Sequence, residues 1–189
     1  MRNPDLDSRV RGNDRRGSYI MSTYTSPKVE VRESGIEGHG VFAKEKILKG
    51  DVVFDFSKGK GKMISGAEMD KLCAEGRDYG IQVGEDLFFA ATENSEMEAG
   101  DYLNHSCDAN LGIRDSLKMI AMRDIEPGEE TAFDYAMSET SDYKMDCKCG
   151  KPNCRGIITG EDWKRKDLQE RYNGYFSDYV AKKISNTHE

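Results

Sequence analysis

The chain has 189 residues, of which 37% are hydrophobic and 33% charged, a balance that predicts a globular domain with a core of its own. No apolar run approaches the roughly 20 residues that span a bilayer, and the charged N-terminal stretch lacks the apolar segment of a secretory signal. The net charge is −7, and residues 85–146 carry 16 acidic against 4 basic side chains, which disfavours nucleic acid and favours basic peptides.

The N-terminal stretch has no apolar periodicity that a helix or strand could bury. We therefore expect residues 1–24 to form a disordered leader ahead of the folded region. Met21 directly follows the charged residues, and our hypothesis is that it is the natural first residue. Mass spectrometry of natively expressed protein with an intact residue 1 would refute that hypothesis.

Short strand-like segments recur along the chain and are separated by turn residues. The first alternates polar and apolar side chains, and a glycine-rich turn over residues 35–40 follows it, ahead of a short apolar run. The predicted strands are residues 28–32, 51–56, 79–83, 86–90, 117–122 and 129–135. This pattern predicts one compact domain of many short strands and few helices.

Residues 65–76 carry the strongest helix signal. Ser65 and Glu68 have the spacing of a capping box, and Gly76 is suited to end the helix. Cys73 falls on the same predicted face as the apolar residues of this helix. We therefore predict that Cys73 is a core thiol and not a metal ligand.

The last 30 residues predict an amphipathic helical tail, for which Asn173-Gly174 is the favoured point of a break. The residues near helical spacing are Trp163, Leu168, Tyr172, Phe176, Tyr179 and Val180. We interpret this aromatic stripe as a packing face and not as a ligand site, in line with ordinary core usage.

Four of the five cysteines point to a metal site. Cys147, Cys149 and Cys154 have the spacing C-x-C-x4-C, and clustered cysteines without an export signal are more often metal ligands than disulfides. Structural zinc takes four ligands, so a fourth thiolate must come from elsewhere, and Cys107 is the best candidate. Such a metal would fasten the cysteine-rich loop to the segment around Cys107. Free or buried thiols are the alternative interpretation.

Two further segments have an ordinary structural interpretation when each is taken alone, and indicate a function only when they are considered together. Asn104-His105 precedes Cys107, and an asparagine side chain offers the donor and the acceptor that a small cofactor needs. Alone, this pair predicts a turn and a structural histidine. The segment from Glu130 to Asp134-Tyr135 reads alone as a strand with core aromatics.

Together and in this order, the segments resemble the SET-domain family of protein lysine methyltransferases. They are Gly38-His39-Gly40, Asn104-His105-Ser106-Cys107, Glu130 to Tyr135, and Cys147 to Gly156. The resemblance runs from about residue 28 to residue 157, the cysteine-rich piece looks like the family's post-SET zinc segment, and the tail is similar to the endings of small bacterial members.

The resemblance implies a mainly β SET fold of several short sheets, with few short helices and a C-terminal helix. It also implies a pseudo-knot, in which the tyrosine segment threads a loop near the Asn-His motif, an exception to the usual rule against threading. The corresponding divisions are a SET domain over residues 25–140, a zinc-binding post-SET segment over 141–160 and a helical tail over 161–189.

The implied activity is transfer of a methyl group from S-adenosylmethionine to the ε-amine of a protein lysine, with S-adenosylhomocysteine as the product. Tyr135 would be the catalytic tyrosine, and Phe133 and Tyr79 would line the substrate channel, where phenylalanine at 133 implies that more than one methyl fits. The implied cofactor-binding residues are Gly38, His39, Gly40, Asn104 and His105. The implied ligands of one structural zinc are Cys107, Cys147, Cys149 and Cys154.

The sequence departs from the family pattern in two places. Asp101 stands where a basic residue often precedes the aromatic residue of the Asn-His motif, a position that bears on cofactor contact. Glu130-Thr131 stands where the family has an acidic residue followed by leucine, which we interpret as a packing change.

The expected partner is a basic, lysine-containing protein, histone-like or otherwise, with no direct binding of nucleic acid or membrane. The acidic middle third would attract such a substrate, although a solvated, solubilising face is the alternative interpretation. We expect a cytoplasmic location, with a non-classically secreted effector as the alternative, and the sequence leaves the oligomeric state open. The competing functions are a catalytically inactive, zinc-stabilised SET-like binding module and a redox or zinc sensor.

Overall fold

The computed structural model describes residues 23–187 and has the mainly β architecture that the sequence predicts. The strands are β1 (Tyr24–Thr25), β2 (Val29–Glu33), β3 (His39–Ala43), β4 (Val52–Asp55), β5 (Lys62–Ile64), β6 (Gly80–Gly84), β7 (Leu87–Ala90), β8 (Asn104–His105), β9 (Leu111–Arg114), β10 (Lys118–Ala121), β11 (Glu130–Phe133), β12 (Lys144–Asp146) and β13 (Ile157–Thr159). The α-helices are α1 (Gly66–Ala74), α2 (Lys166–Arg171) and α3 (Asp178–Asn186).

Each of the six predicted strands is confirmed to within one or two residues at its ends. The predicted leader, residues 1–24, lies outside the described residues except for Thr23, which precedes β1, and Tyr24, which is the first residue of β1. Along residues 23–187, no helix has the length and apolar character needed to cross a membrane.

The main sheet has the strand order β1-β4-β10-β9-β11-β3-β2, with β8 also paired to β11. Most of these pairs are antiparallel, but β8 and β9 both run parallel to β11. In this register Asn104 lies opposite Ala132 and His105 lies opposite Phe133. The pairing therefore places the Asn-His motif beside the strand that leads into Tyr135. The threaded loop of a pseudo-knot stays a prediction.

The smaller sheet, β5-β7-β6, packs against α1. The helix begins as predicted, because the Glu68 carboxylate accepts a hydrogen bond of 2.9 Å from the backbone N–H of Ser65. The prediction of a buried Cys73 is wrong, since this thiol is exposed. Leu72 is buried instead, and consecutive helical residues point about 100° apart, so the narrow contact with the sheet covers only one of the two.

The tail packs on the main core and closes it. It is broken near the predicted point, because Gly174 has a φ of +80°, a conformation that glycine adopts readily and that separates α2 from α3. The buried tail residues are Trp163, Leu168, Tyr172, Phe176 and Val180, and Tyr179 packs against them. The aromatic stripe is therefore confirmed as a packing face.

Candidate active site

A cleft of about 1160 Å³ runs between the main sheet and the β5-β7-β6 sheet. Its walls come from residues 36–39 before and at the start of β3, from the α1 and β6–β7 unit, from residues 100–105, and from residues 133–148. Acidic side chains line much of it, namely Glu37, Asp70, Asp78, Glu85, Asp86, Asp101, Glu139, Asp142 and Asp146, against Lys144 and Lys148. A lining of this charge attracts cationic ligands.

At one end of the cleft, Asn104 ties the glycine-rich turn to β11. Its Nδ2 lies 3.0 Å from the carbonyl oxygen of His39 and 2.8 Å from Oε1 of Glu130, both within hydrogen-bond distance. Gly38 has a φ of +41°, which lets the backbone turn sharply here. The structure therefore joins three segments that are far apart in sequence.

Gly40 allows the close approach of these segments. A Cβ atom at this position would overlap the Glu130 carboxylate and lie 3.0 Å from the Asn104 amide nitrogen. We expect Gly40→Ala to destabilise the fold by roughly 1–3 kcal/mol, the usual cost of overpacking. Urea unfolding measures this change.

The matched control is Gly35→Ala, because a Cβ at Gly35 meets no atom within 4 Å. If the two variants unfold at the same urea concentration, the close packing around Gly40 does not contribute to stability.

His105 connects the Asn-His motif to Tyr135 and to the thiol of Cys107. Its Nδ1 accepts a hydrogen bond of 3.2 Å from the backbone N–H of Tyr135, and its Nε2 lies 3.4 Å from the Cys107 sulfur. Burial lowers the pKa of His105 to about 4; nearby Asp134 opposes this shift and Arg155 adds to it. The imidazole is therefore neutral at pH 7, and the bond to Tyr135 assigns its proton to Nε2.

Tyr135 presents an uncharged phenol inside the cleft. Its hydroxyl lies 3.4 Å from the carbonyl oxygen of Leu103, and its ring lies 5.0 Å from that of Phe133, centroid to centroid. Burial raises the pKa of Tyr135 well above its ordinary value, and the negative charges of Asp78 and Glu139 raise it further. A neutral hydroxyl can donate or accept a hydrogen bond at this point.

A second group of aromatic rings lines the cleft. Tyr79 lies 6.3 Å from Tyr102 and Tyr102 lies 5.8 Å from His39, between ring centroids. Tyr79 is half-buried and lines the cleft together with Phe133. Sequence reasoning missed Tyr102, whose only signal was its place beside the Asn-His motif.

Asp134 and Arg155 form a buried ion pair that sequence reasoning also missed. The carboxylate of Asp134 is fully buried, and the Arg155 Nη1 and Nη2 atoms approach its two oxygens at 2.5 and 2.8 Å. Arg155 Nε lies 2.9 Å from Asp162, but the geometry is that of an ion pair and not of a hydrogen bond. One guanidinium therefore joins the end of β11 to the cysteine-rich loop and the tail.

The four thiols of Cys107, Cys147, Cys149 and Cys154 lie together, and all four sulfurs are within 4.8 Å of one another. The Cys107 and Cys147 sulfurs are 3.7 Å apart. A tetrahedral site with zinc–sulfur bonds of about 2.3 Å requires sulfur–sulfur distances of about 3.8 Å, so the group has suitable dimensions for a metal. Cys73 lies outside it.

The hairpin of β12 and β13 encloses the three late cysteines, and side chains hold Cys107 in place. The carbonyl oxygen of Cys107 accepts hydrogen bonds from Asn153 at 2.9 Å and from the Tyr172 hydroxyl at 3.2 Å. Its sulfur also accepts a hydrogen bond of 3.3 Å from the backbone N–H of Arg155. Such a donor stabilises the negative charge of a thiolate ligand.

Asp101, the first departure from the family pattern, has a local structural partner. Its carboxylate accepts a hydrogen bond of 2.7 Å from the backbone N–H of Glu98 and so caps a short 3-10 turn. Burial raises the pKa of Asp101 to about 6; the bond from the Glu98 backbone opposes this shift and the Glu98 charge adds to it. Asp101 therefore stabilises the turn that leads into the Asn-His motif.

Comparison with known proteins finds similar proteins that are named histone-lysine N-methyltransferases. The SET domain profile matches residues 38–136, just over half of the chain. The chain is 27% identical over 147 residues to a "Histone-lysine N-methyltransferase, H3 lysine-36 specific" of Candida albicans, covering 71% of this chain and 17% of that protein. It is 32% identical over 138 residues to the "H3 lysine-4 specific" enzyme of Schizosaccharomyces pombe, covering 66% of this chain and 14% of that protein.

A third relative is the "Histone-lysine N-methyltransferase Su(var)3-9" of Drosophila melanogaster, 27% identical over 160 residues, with 70% of this chain and 25% of that protein covered. The chain thus spans a quarter or less of the length of these three relatives.

Proposed function

The chain belongs to the SET-domain family, and from that premise we propose that its cleft transfers a methyl group from S-adenosylmethionine to the ε-amine of a lysine in a protein substrate. The observation that carries this proposal is the neutral, half-buried phenol of Tyr135 beside the Asn104-His105 motif in an acidic cleft. Methyl transfer needs alignment more than acid–base strength, and a fixed hydroxyl can supply alignment.

The proposed cofactor site is the end of the cleft built by Gly38, His39, Gly40, Asn104 and His105. S-adenosylmethionine supplies an electrophilic methyl carbon on a positively charged sulfur. The residues present fit this group, because backbone carbonyls, an amide side chain and acidic neighbours such as Glu37 surround an open volume. His105 remains neutral and holds the Tyr135 backbone in position.

The proposed lysine channel is formed by Tyr135, Phe133 and Tyr79. A free lysine amine has a pKa of about 10.4 and is therefore protonated at pH 7, whereas the nucleophile must be the uncharged amine. Aromatic walls and burial lower that pKa. We assign the Tyr135 hydroxyl the role of orienting the amine, since burial keeps the phenol itself from ionising.

One structural zinc is proposed among Cys107, Cys147, Cys149 and Cys154. Four thiolates are a complete ligand set for structural zinc and leave no open position for chemistry. The metal would fasten the cysteine-rich loop to Cys107, two residues from His105. Its contribution would be to hold the wall of the cleft in place.

We further propose the division into a SET domain, a post-SET zinc segment and a helical tail, and a basic protein as the substrate. The acidic lining of the cleft supports such a substrate. A cytoplasmic site of action is proposed with it. Against a catalytically inactive module stands the presence of Tyr135, Asn104 and His105 in one place, and a redox sensor would leave that arrangement without a purpose.

Replacing Tyr135 with phenylalanine tests the proposed role directly. The substitution removes the hydroxyl and keeps the ring, so we expect turnover to fall on the order of 10²-fold, as for other losses of alignment. Cofactor affinity should stay within a few fold. Radiolabelled methyl transfer onto histones, ribosomal proteins and whole lysate measures turnover. Calorimetric titration with the cofactor measures cofactor affinity.

Equal losses of affinity and turnover in Tyr135→Phe would argue for a general packing role of this residue. Absence of label from every protein tested with the wild-type chain would remove the proposed activity.

A further inference from the structure

Glu139 is a cleft residue that the proposed mechanism leaves unused. It lies four residues after Tyr135, and its backbone N–H donates to the Tyr135 carbonyl oxygen at 2.8 Å. Its Oε1 accepts hydrogen bonds from the Gln82 backbone N–H at 3.1 Å and from the Ser138 hydroxyl at 3.4 Å. Its Oε2 has one long contact, 3.5 Å from the Ser141 hydroxyl. No lysine or arginine within residues 23–187 forms an ion pair with this carboxylate.

A second unused group lies nearby. The hydroxyl of Tyr143 is buried and has no hydrogen-bond partner within the described part of the chain, although the residue lines the same cleft. Burial raises the pKa of Tyr143, and the charge of Glu139 raises it further, as it does for Tyr135. Glu139, Tyr135 and Tyr143 all line this one cleft. A buried hydroxyl without a partner costs free energy, which a polar ligand would recover.

We propose that the Glu139 carboxylate receives the charged ε-ammonium of the substrate lysine and accepts its proton, with the Tyr143 hydroxyl as a hydrogen-bonding partner of the bound nitrogen. This inference rests on the proposed function. One N–H bond of the ammonium breaks and its electron pair stays on nitrogen, while the proton forms an O–H bond with Glu139. The neutral amine then holds the lone pair that methyl transfer requires, and Glu139 later returns the proton to solvent.

The acidity of Glu139 suits this role. Burial raises its pKa to about 7, and the hydrogen bonds from Gln82, Ser138 and Ser141 oppose the shift. An ordinary carboxylate, with a pKa of about 4.3, is a weak acceptor for a lysine proton, whereas an acceptor titrating near the working pH is effective. Since the pKa is raised, the accepting, ionised form becomes dominant above about pH 7.

The titratable and charged groups around this carboxylate come from several elements. They are Tyr135 and Asp134 after β11, Tyr143 and the exposed Lys144 at β12, Cys73 and Asp70 of α1, Asp78 ahead of β6, Asp162 of the tail and Arg155 of the cysteine-rich loop. Arg155 pairs with Asp134 and Asp162, and the phenols are neutral at pH 7. The remaining negative charges of Asp70 and Asp78 favour entry of an ammonium group.

The test compares kcat/KM for a lysine peptide from about pH 6 to about pH 10 in the wild type and in Glu139→Gln. The wild-type rate should rise through about pH 7 and then level off. The variant should be slower on the order of 10²-fold at pH 7, because it must wait for the amine to lose its proton to solvent, and the deficit should shrink towards pH 10.

Asp78→Asn is the matched control, since it removes a cleft charge without removing the proposed acceptor. It should change the salt dependence of KM and keep the midpoint of the pH profile. A second measurement, ¹³C NMR titration of glutamate carboxyls in the wild type, should show one group titrating near pH 7 that is absent from Glu139→Gln.

Parallel pH profiles for an active wild type and Glu139→Gln would overturn the inference and leave the proposed function intact. So would an NMR titration in which every glutamate carboxyl has an ordinary pKa, a result that does not depend on whether the variant folds. A wild-type chain that methylates no protein would overturn the proposed function first.

Discussion

A chain carrying Cys107→Ser is expected to purify without stoichiometric metal and to lose the folded cysteine-rich loop. Serine is a poor ligand for zinc, and the other three sulfurs lie within 4.8 Å of Cys107 only because the fold brings them there. Structural zinc contributes about 10–16 kcal/mol of apparent binding free energy in small zinc domains, and this free energy is coupled to folding. Loss of one zinc ligand should therefore cause the largest loss of folding free energy among the single substitutions proposed for this chain.

Elemental analysis of the purified protein and its thermal unfolding measure this effect. Cys73→Ser is the matched control, because Cys73 is an exposed cysteine outside the cluster, and it should keep both the metal content and the melting temperature. A wild-type protein that binds no metal, or a Cys107→Ser protein that retains it, would contradict the proposed zinc site.

Arg155→Met is expected to destabilise the protein by about 3–5 kcal/mol, because it leaves the charge of Asp134 buried and unpaired. The Asp134 side chain has 0% exposure, and Arg155, whose side chain is itself 7% exposed, supplies both of its side-chain hydrogen bonds. The backbone N–H of Ala136 donates one more, at 3.1 Å. Methionine keeps much of the apolar volume of the arginine stem, so the loss reports on the charge. Equilibrium unfolding in urea at pH 7 gives the free-energy difference.

Two further variants separate the buried pair from ordinary surface charge. Arg123→Met breaks a pair with Glu129 whose side chains are 48% and 34% exposed, and it should cost about 0–1 kcal/mol. The double variant Arg155→Met with Asp134→Asn should be more stable than Arg155→Met alone, since residue 134 then carries no unpaired buried charge. Equal stabilities of Arg155→Met and Arg123→Met would show that the Asp134 carboxylate is not held as a buried ion.

Local sequence patterns were sufficient for the elements that depend on local physics. Alternation and capping located the predicted strands and α1, and Gly174 marked the break in the tail. Cys73 was placed wrongly because periodicity gives the direction of a side chain but not the width of the surface that covers it. The short strand β8 carries no pattern of its own and exists through its pairing with β11.

The candidate site also contains some residues that the sequence predicts and others that only the folded structure reveals. The motifs named the residues that the structure brings together around Asn104 and Tyr135, and the spacing of the late cysteines called for a fourth thiol. The Asp134–Arg155 pair was not predictable, because it joins two motifs through a contact that exists only in the folded chain. Glu139 and Tyr143 were missed for a related reason: their burial, and not their spacing, gives them unusual acidity.

We propose above all that this cleft places a methyl group on the ε-nitrogen of lysine. Tandem mass spectrometry of a basic protein substrate, incubated with the wild-type chain and a cofactor whose transferable methyl carries deuterium, tests it most directly. We expect deuterated methyl on lysine side chains with the wild type and almost none with Tyr135→Phe. Label on a different residue type, or equal lysine labelling by both proteins, would contradict it.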